Sequence, residues 1–157
     1  MSGNGHLRLL AVGAVTLALA GCGGDSKSGE ETAPHWGGPP KADASGHVPV
    51  ATFNDYLAGD GAVFARSPTA ASAEFLALDR PNAAVSTVQA TSPGEVQNFS
   101  EVVATLTGLQ DDSVRDARYT LEYERNADGE WRLRAADYAQ RCQAGRGHQD
   151  FSPKDCV

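Results

Sequence analysis

The stretch RYTLEYERNADGEWRLRA, residues 118–135, decides the fold of this chain. In each half, apolar residues alternate with polar ones, and a period of two is typical of a β-strand with one buried face. The halves meet at Asn126-Ala127-Asp128-Gly129, where Gly129 can adopt a positive φ without steric cost. The sequence therefore predicts a β-hairpin. The residues of its inner face are Tyr119, Leu121 and Tyr123 on one strand and Trp131 and Leu133 on the other.

The outer face of this hairpin is charged. Glu122 and Glu124 on the first strand face Arg132 and Arg134 on the second. Opposite charges and apolar pairs across two strands fix their register, because a slip by one residue would turn every side chain to the other face. We interpret the charged face as a solvated surface and not as a catalytic cluster.

Two helices are predicted near the start of the folded part. Val50, Phe53 and Leu57 recur at near-helical spacing, and Gly59-Asp60-Gly61 breaks the pattern. A second helix follows, with Thr69 as its expected N-cap. The apolar residues of this second helix are Ala70, Ala73, Phe75, Leu76 and Leu78.

Two further strands lie between the helices and the hairpin. Val85, Thr87 and Val88 indicate one strand, and the β-branched residues of 96–109 indicate the next. Helices followed by a run of antiparallel strands predict an α+β fold. We therefore expect N-terminal helices packed on a curved antiparallel sheet of about four strands.

The element order and the hairpin residues Asp128-Gly129 and Trp131-Arg132-Leu133 resemble the nuclear-transport-factor-2-like (cystatin-like) domains, in which a curved sheet wraps a helix. That resemblance implies a pocket in the α+β domain. It also implies an alternative function, an isomerase- or hydratase-like enzyme. In such an enzyme Asp137 and Tyr138 would supply the acid and the phenol.

Residues 1–21 are typical of an export signal. A short segment with Arg8 precedes an apolar run over 9–20, which is too short for a membrane-spanning helix of about 20 residues. The run ends in Leu19-Ala20-Gly21-Cys22, which resembles the lipobox of bacterial lipoproteins. That resemblance implies diacylglyceryl transfer to the Cys22 thiol and cleavage after Gly21. A plain secretory signal or a short membrane anchor is the alternative.

The expected lipoprotein would display its domain on the outer face of the cell membrane. Residues 22–49 are rich in Gly, Pro and Ser, so we expect the lipidated cysteine to be followed by a disordered linker. His35 and Trp36 fall in this linker and are expected to be solvated, although they could bind a metal or pack on the domain. A single α+β domain is then expected over 50–157.

Lipidation of Cys22 would leave Cys142 and Cys156. In an exported chain these two predict a disulfide, whose 15-residue loop stabilises the fold by roughly 3 kcal/mol at most. The alternative is a metal site of both cysteines and His148, but a fourth ligand with convincing spacing is missing from the sequence. We therefore expect a disulfide and no metal.

The loop between these cysteines holds the candidate binding residues Arg146, His148 and Asp150. It resembles a cysteine-bounded Gly-Arg-Gly-His-Gln tail of uncharacterised exported bacterial proteins, and that resemblance implies no activity. Glycine-flanked Arg146 could bind a carboxylate or phosphate, and His148 with Asp150 could accept a proton. In the alternative, Arg146 and His148 bond to carbonyl groups and Phe151 packs on the sheet, which makes the loop structural.

Charge and motifs narrow the function further. A formal net charge of −7 argues against binding to nucleic acid and against binding to anionic lipid through a cluster of basic residues. The sequence lacks a nucleotide-binding glycine pattern and a nucleophile elbow, so we expect no cofactor and assign no catalytic residue. The predicted function is a small binding or interaction module, held at the membrane by its lipid, whose partner is an envelope protein or a small anionic ligand.

Overall fold

The structure is a computed structural model that describes residues 36–79, 85–91 and 98–157. The helices in these ranges are α1 (Ala51–Ala58) and α2 (Pro68–Phe75), with a short 3-10 turn at Phe64–Arg66 between them. The strands are β1 (Val85–Thr91), β2 (Phe99–Thr107), β3 (Val114–Arg125) and β4 (Trp131–Cys142). Helices precede an antiparallel sheet, so the predicted α+β class is confirmed.

The sheet is a meander in which each strand pairs with the next one in the sequence. Strands β2, β3 and β4 are long. Strand β2 pairs with β3 starting from Phe99 opposite Glu124, and β3 pairs with β4 as far as Val114 opposite Cys142. Strand β1 extends the sheet at the β2 edge and pairs with it along the backbone up to Thr91 opposite Glu101. Short connections between antiparallel neighbours explain this order, because each strand lies beside the one that precedes it.

The predicted hairpin between β3 and β4 is confirmed. Tyr123 lies opposite Leu133, and Gly129 has a φ of 84° in the connection. The side-chain oxygen of Asn126 accepts hydrogen bonds from two backbone N–H groups of the turn. A register shift between Glu122 and Tyr123 then brings Ala136 into the buried face. The bulge therefore lets both halves of the long β4 strand point apolar residues toward the helices.

Both helices pack on one face of the sheet. Phe53 of α1 and Phe75 of α2 are fully buried there, with ring centroids 5.0 Å apart. The side chain of Asn54 exchanges two hydrogen bonds with the backbone of Leu133, at 2.8 and 3.0 Å, and so fastens α1 to β4. The sheet residues that complete this core are Val102, Ala104, Leu121, Tyr123, Leu133 and Ala136.

The second helix begins earlier than the sequence predicted. Its N-cap is Ser67, whose hydroxyl accepts from the N–H of Ala70 at 3.4 Å, and Pro68 occupies the first helical position. Thr69 lies inside the first turn and is exposed, so its assignment as the cap was wrong. The physical reason is that proline fits the first helical position, where its missing N–H costs nothing, and the cap must precede it.

Residues 36–49 belong to the folded part, which corrects the expected domain start at residue 50. Trp36 packs on Phe53 and Phe75, and its indole N–H donates to the carbonyl of Phe75 at 3.0 Å. Val48 is fully buried, and its N–H donates to the carbonyl of Ala136 at 2.8 Å. We call residues 36–49 the N-terminal strap. A glycine- and proline-rich composition suggested disorder, but two apolar anchors stabilise the strap.

The expected signal peptide, Cys22 and the first linker residues up to 35 lie outside the described residues. In the part of the chain that is described, neither helix is long and apolar enough to cross a membrane. The expected lipid anchor therefore stays a prediction.

Candidate functional site

The C-terminal loop, residues 143–157, folds back along the end of the sheet. Cys142 and Cys156 form the predicted disulfide, with Cα atoms 5.4 Å apart. Backbone hydrogen bonds hold the loop as well: the N–H of Cys142 donates to the carbonyl of His148, and the N–H of Val157 donates to that of Arg146. Ser152 exchanges two such bonds with Gln140. The loop is therefore fixed at several points along its length.

His148 is held by the loop itself. Its Nδ1 lies 2.8 Å from the carbonyl oxygen of Asp150, and its Nε2 lies 2.9 Å from that of Lys154. Both ring nitrogens therefore face backbone oxygens, and a neutral imidazole can donate to only one of them. The geometry matches the structural alternative of the sequence analysis for this residue.

Arg146 and Asp150 do not join His148 in one site. The Arg146 side chain is exposed and makes no hydrogen bond or ion pair with any residue in the described ranges. Asp150 meets His148 through its backbone carbonyl, while its side chain is exposed. The expected carboxylate–imidazole pair is therefore not formed, and the three candidate residues share a loop without a common contact.

Phe151 packs on the outer face of the sheet, where it lies between two arginines. The guanidinium carbons of Arg118 and Arg141 lie 4.3 and 4.4 Å from the ring centroid. Arg141 also donates to the buried carboxylate of Asp116 at 2.8 Å, and Arg115 donates to the same oxygen at 2.9 Å. The charges of Arg115 and Arg141 thus compensate the buried carboxylate of Asp116, and the Phe151 ring packs on the guanidinium group of Arg141.

A cleft opens where the N-terminal strap and the C-terminal loop meet the sheet. Its volume is about 270 Å³. The strap contributes Pro39 to Asp43, the loop contributes Pro153 and Asp155, and the sheet contributes Tyr119, Tyr138 and Gln140. Concave sites that combine aromatic and apolar walls with a few polar groups are typical of small-molecule binding.

Two tyrosines form the aromatic wall of the cleft. The rings of Tyr119 and Tyr138 lie 5.1 Å apart, and the Tyr138 hydroxyl donates to the side-chain oxygen of Gln140 at 2.7 Å. Burial, with a smaller contribution from Tyr138, raises the pKa of Tyr119 to about 12. Among the residues described, none accepts or donates a hydrogen bond at the Tyr119 hydroxyl. This phenol is therefore a protonated donor over the whole physiological range.

The rim of the cleft carries charges of both signs. Lys41 lies on the strap, and Asp155 lies on the loop. Asp43 is held in place because its Oδ1 accepts from the Ser45 hydroxyl and from the N–H groups of Ser45 and His47. These bonds, led by the Ser45 hydroxyl, keep the pKa of Asp43 below its usual value.

Asp137 and Tyr138 do not form the acid–phenol pair of the alternative enzyme. As neighbours on one strand they point to opposite faces of the sheet. The Asp137 carboxylate is mostly exposed and lies 3.6 Å from the ring of His47, whereas Tyr138 faces Tyr119. The space between helices and sheet, where the resemblance implied a pocket, is filled by large buried side chains.

Comparison of the chain with protein-family models, with curated proteins and with solved structures found no match. The geometry of the described residues is therefore the basis for assigning a function. The resemblances to lipoproteins and to nuclear-transport-factor-2-like domains remain predictions.

Sequence reasoning missed the cleft. Its walls come from three segments, 39–48, 119–140 and 153–155, which are far apart along the chain. The Pro39-Pro40 pair beside Trp36 was the signal that could have found the strap, because an aromatic residue in a stiff proline-rich segment indicates a packed edge. Tyr119 lies opposite Tyr138 only because of the register shift between Glu122 and Tyr123, which has no signal in the sequence; without it Tyr119 would lie opposite Asp137.

Proposed function

We propose that the protein is a lipid-anchored binding module which captures a small polar ligand in the cleft between the N-terminal strap and the C-terminal loop. The proposal has two parts, an anchor at Cys22 and a ligand site at Tyr119. The single observation that supports the ligand site is the Tyr119 hydroxyl, a hydrogen-bond donor set in an aromatic wall and left without a partner among the described residues.

The anchor rests on the sequence. Leu19-Ala20-Gly21-Cys22 ends an apolar run of signal-peptide length, and the folded part begins by Trp36. The segment between Cys22 and Trp36 would separate the domain from the lipid headgroups. A ligand site displayed in this way would meet solutes outside the cytoplasmic membrane.

The chemistry of the cleft favours a ligand with both an acceptor and a charge. Tyr119 can donate a hydrogen bond to a carboxylate or carbonyl oxygen, and Lys41 at the rim can pair with the same group. Asp155 at the opposite rim can pair with an ammonium. The tyrosine rings offer apolar contact to a short side chain. A small zwitterion, such as a free amino acid, combines these features.

A titration of the full-length chain in detergent micelles tests the ligand site. The probes are three sets of small solutes: amino acids, dicarboxylates and primary amines. We expect calorimetric binding of at least one amino acid and about ten- to a hundredfold weaker binding by Tyr119→Phe, since a hydrogen bond to a charged group contributes about 1.5–3 kcal/mol.

Tyr56→Phe is the matched control for this titration. This substitution also removes one tyrosine hydroxyl, which donates to Glu74 at 2.7 Å. Tyr56 does not line the cleft. The affinity of this variant should equal that of the wild type. Absence of binding for all three solute sets, or an unchanged affinity in Tyr119→Phe, would contradict the proposal. Binding of dicarboxylates alone would exclude the zwitterion.

A further inference from the structure

We propose that the C-terminal loop becomes a thiolate–imidazole site for Zn²⁺ when its disulfide is reduced. The ligands are the Sγ atoms of Cys142 and Cys156 and one ring nitrogen of His148. This inference is independent of both parts of the proposed function, because it uses neither Cys22 nor the cleft tyrosines.

The three ligand atoms are already close together. The two sulfurs and a nitrogen of His148 lie within 4.8 Å of one another. Zinc binds thiolate at about 2.3 Å and imidazole at about 2.0–2.1 Å, so after reduction the two sulfurs must move apart by side-chain rotation to admit an ion between them. Cys142 is fully buried, while His148 and Cys156 are partly buried, which leaves one side of the cluster open to water.

The loop that carries these residues does not depend on the disulfide alone. The N–H of Cys142 donates to the carbonyl of His148 at 3.0 Å, which joins two of the ligand residues directly. Near the other end, the N–H of Val157 donates to the carbonyl of Arg146 at 2.8 Å, and the Gln140 amide donates to that of Lys154 at 2.9 Å. These bonds persist when the sulfur–sulfur bond is broken, so the three ligands stay near one another.

His148 also has the surroundings of a metal ligand. A histidine that binds a metal through one nitrogen usually donates the N–H of its other nitrogen to a carbonyl or carboxylate, which fixes the ring. Each nitrogen of His148 lies within 2.9 Å of a backbone oxygen. Binding a metal through one nitrogen gives up that nitrogen's carbonyl contact and leaves the other nitrogen to donate its N–H to a backbone carbonyl.

The reaction balances with an external dithiol as the reductant. A dithiol reductant transfers two electrons and two protons to the disulfide, becomes a disulfide itself and leaves two thiols on the protein. Zn²⁺ then displaces the two thiol protons, and two thiolates with one neutral imidazole hold the ion. Three protein ligands leave a fourth position for water, a set that occurs at zinc sites open to exogenous molecules.

Cobalt titration of the full-length chain tests this inference. Cys22→Ser in detergent removes the third cysteine, and reduction by a dithiol is followed by its anaerobic removal. We expect the reduced protein to take up one equivalent of Co²⁺ with a sulfur-to-metal charge-transfer band, and Zn²⁺ to displace it. The oxidised protein should show no such band.

Two histidine variants separate a designed site from chance binding by two thiols. His148→Ala should weaken Zn²⁺ binding by at least about tenfold, because loss of a metal ligand costs at least as much as loss of a supporting contact. His47→Ala, at an exposed histidine outside the loop, should leave the affinity unchanged. Equal affinity in His148→Ala and wild type would overturn the proposal. Failure of the reduced protein to bind Co²⁺, or loss of its near-ultraviolet circular dichroism, would overturn it as well.

Discussion

Individual tyrosines in this domain occupy very different surroundings. Tyr123 is fully buried in the core, where its hydroxyl lies 2.9 Å from that of Ser72, and burial raises its pKa. Tyr119 is mostly buried at the cleft, and its pKa is raised to about 12. Together with Tyr56, whose pKa is also raised to about 12, these phenols link the stability of the fold to alkaline pH.

Tyr119 should make the stability of the domain depend on alkaline pH. Its pKa is raised from 10.0 to about 12 in the folded state, so the unfolded chain loses the proton first. The stabilisation is complete below pH 10 and is lost as the pH rises toward 12, a change of roughly 2–3 kcal/mol in unfolding free energy. Urea unfolding of wild type and Tyr119→Phe across this range measures it.

Tyr119→Phe should therefore lose less stability between pH 10 and pH 12 than the wild type does. Tyr56→Phe is a second test of the same linkage, because partial burial and the hydrogen bond to Glu74 raise the pKa of Tyr56 to about 12 as well. If the alkaline loss were the same in wild type and Tyr119→Phe, the phenol would not be buried as described.

Among the elements, the start of α2 depends on a single residue. Ser67 has an extended backbone, and its hydroxyl accepts from the N–H of Ala70, whereas Thr69 lies two residues further on, at the second helical position. Ser67→Ala should lower the unfolding free energy by about 1 kcal/mol, since that is the usual cost of removing a serine N-cap. Thermal or urea unfolding measures the change.

Thr69→Ala is the matched control for the cap. Its side chain is exposed, and alanine has the higher helix propensity, so we expect no loss of stability. A larger loss in Thr69→Ala than in Ser67→Ala would place the cap at residue 69, as the sequence pattern had suggested.

The hairpin and the class of the fold could be predicted from the sequence because their signals are local. Tyr119, Leu121 and Tyr123 alternate with polar residues along one strand, and the turn chemistry lies at the next positions. The bulge beside Tyr123 has no such signal, since it depends on how β4 packs under the helices.

The N-terminal strap and the cleft could not be predicted, because their contacts join distant parts of the chain. Trp36 contacts Phe75, and Pro153 lines the same cleft as Pro39. Composition indicates how much apolar surface a segment carries but not where that surface packs. In the C-terminal loop the disulfide was predicted correctly from the number and position of the cysteines. The bonding of His148 to backbone carbonyls was one of two alternatives that the sequence left open.

At the scale of the whole molecule, the strap completes the core. Trp36 contacts Phe53 and Tyr56 of α1 and Phe75 of α2, and so packs on both helices. Trp36→Ala should lower the unfolding free energy by about 2–3 kcal/mol, below the 3–5 kcal/mol of a fully buried aromatic residue because Trp36 is only partly buried. Urea unfolding at neutral pH measures this change.

His47→Ala is the control in the same segment. The His47 side chain is exposed, and its contact with Asp137 at 3.6 Å lies on the surface, so the change should stay within about 0.5 kcal/mol. Equal and small effects of the two substitutions would mean that the strap does not contribute to the core.

The proposed lipid anchor would determine where the whole molecule acts. If Cys22 carries the lipid, then the domain and its cleft face the outside of the cytoplasmic membrane. If Cys22 carries no lipid, the proposed location of the ligand site outside the cytoplasmic membrane would have no support.

Metabolic labelling with a fatty-acid analogue in a bacterial host tests this most directly, with Cys22→Ser compared with wild type and with Cys156→Ser. We expect the label in the wild type and in Cys156→Ser, both shortened to the mature length and recovered with membranes. Cys22→Ser should take up no label and keep its precursor length. A labelled or normally shortened Cys22→Ser protein that stays with membranes would contradict the account.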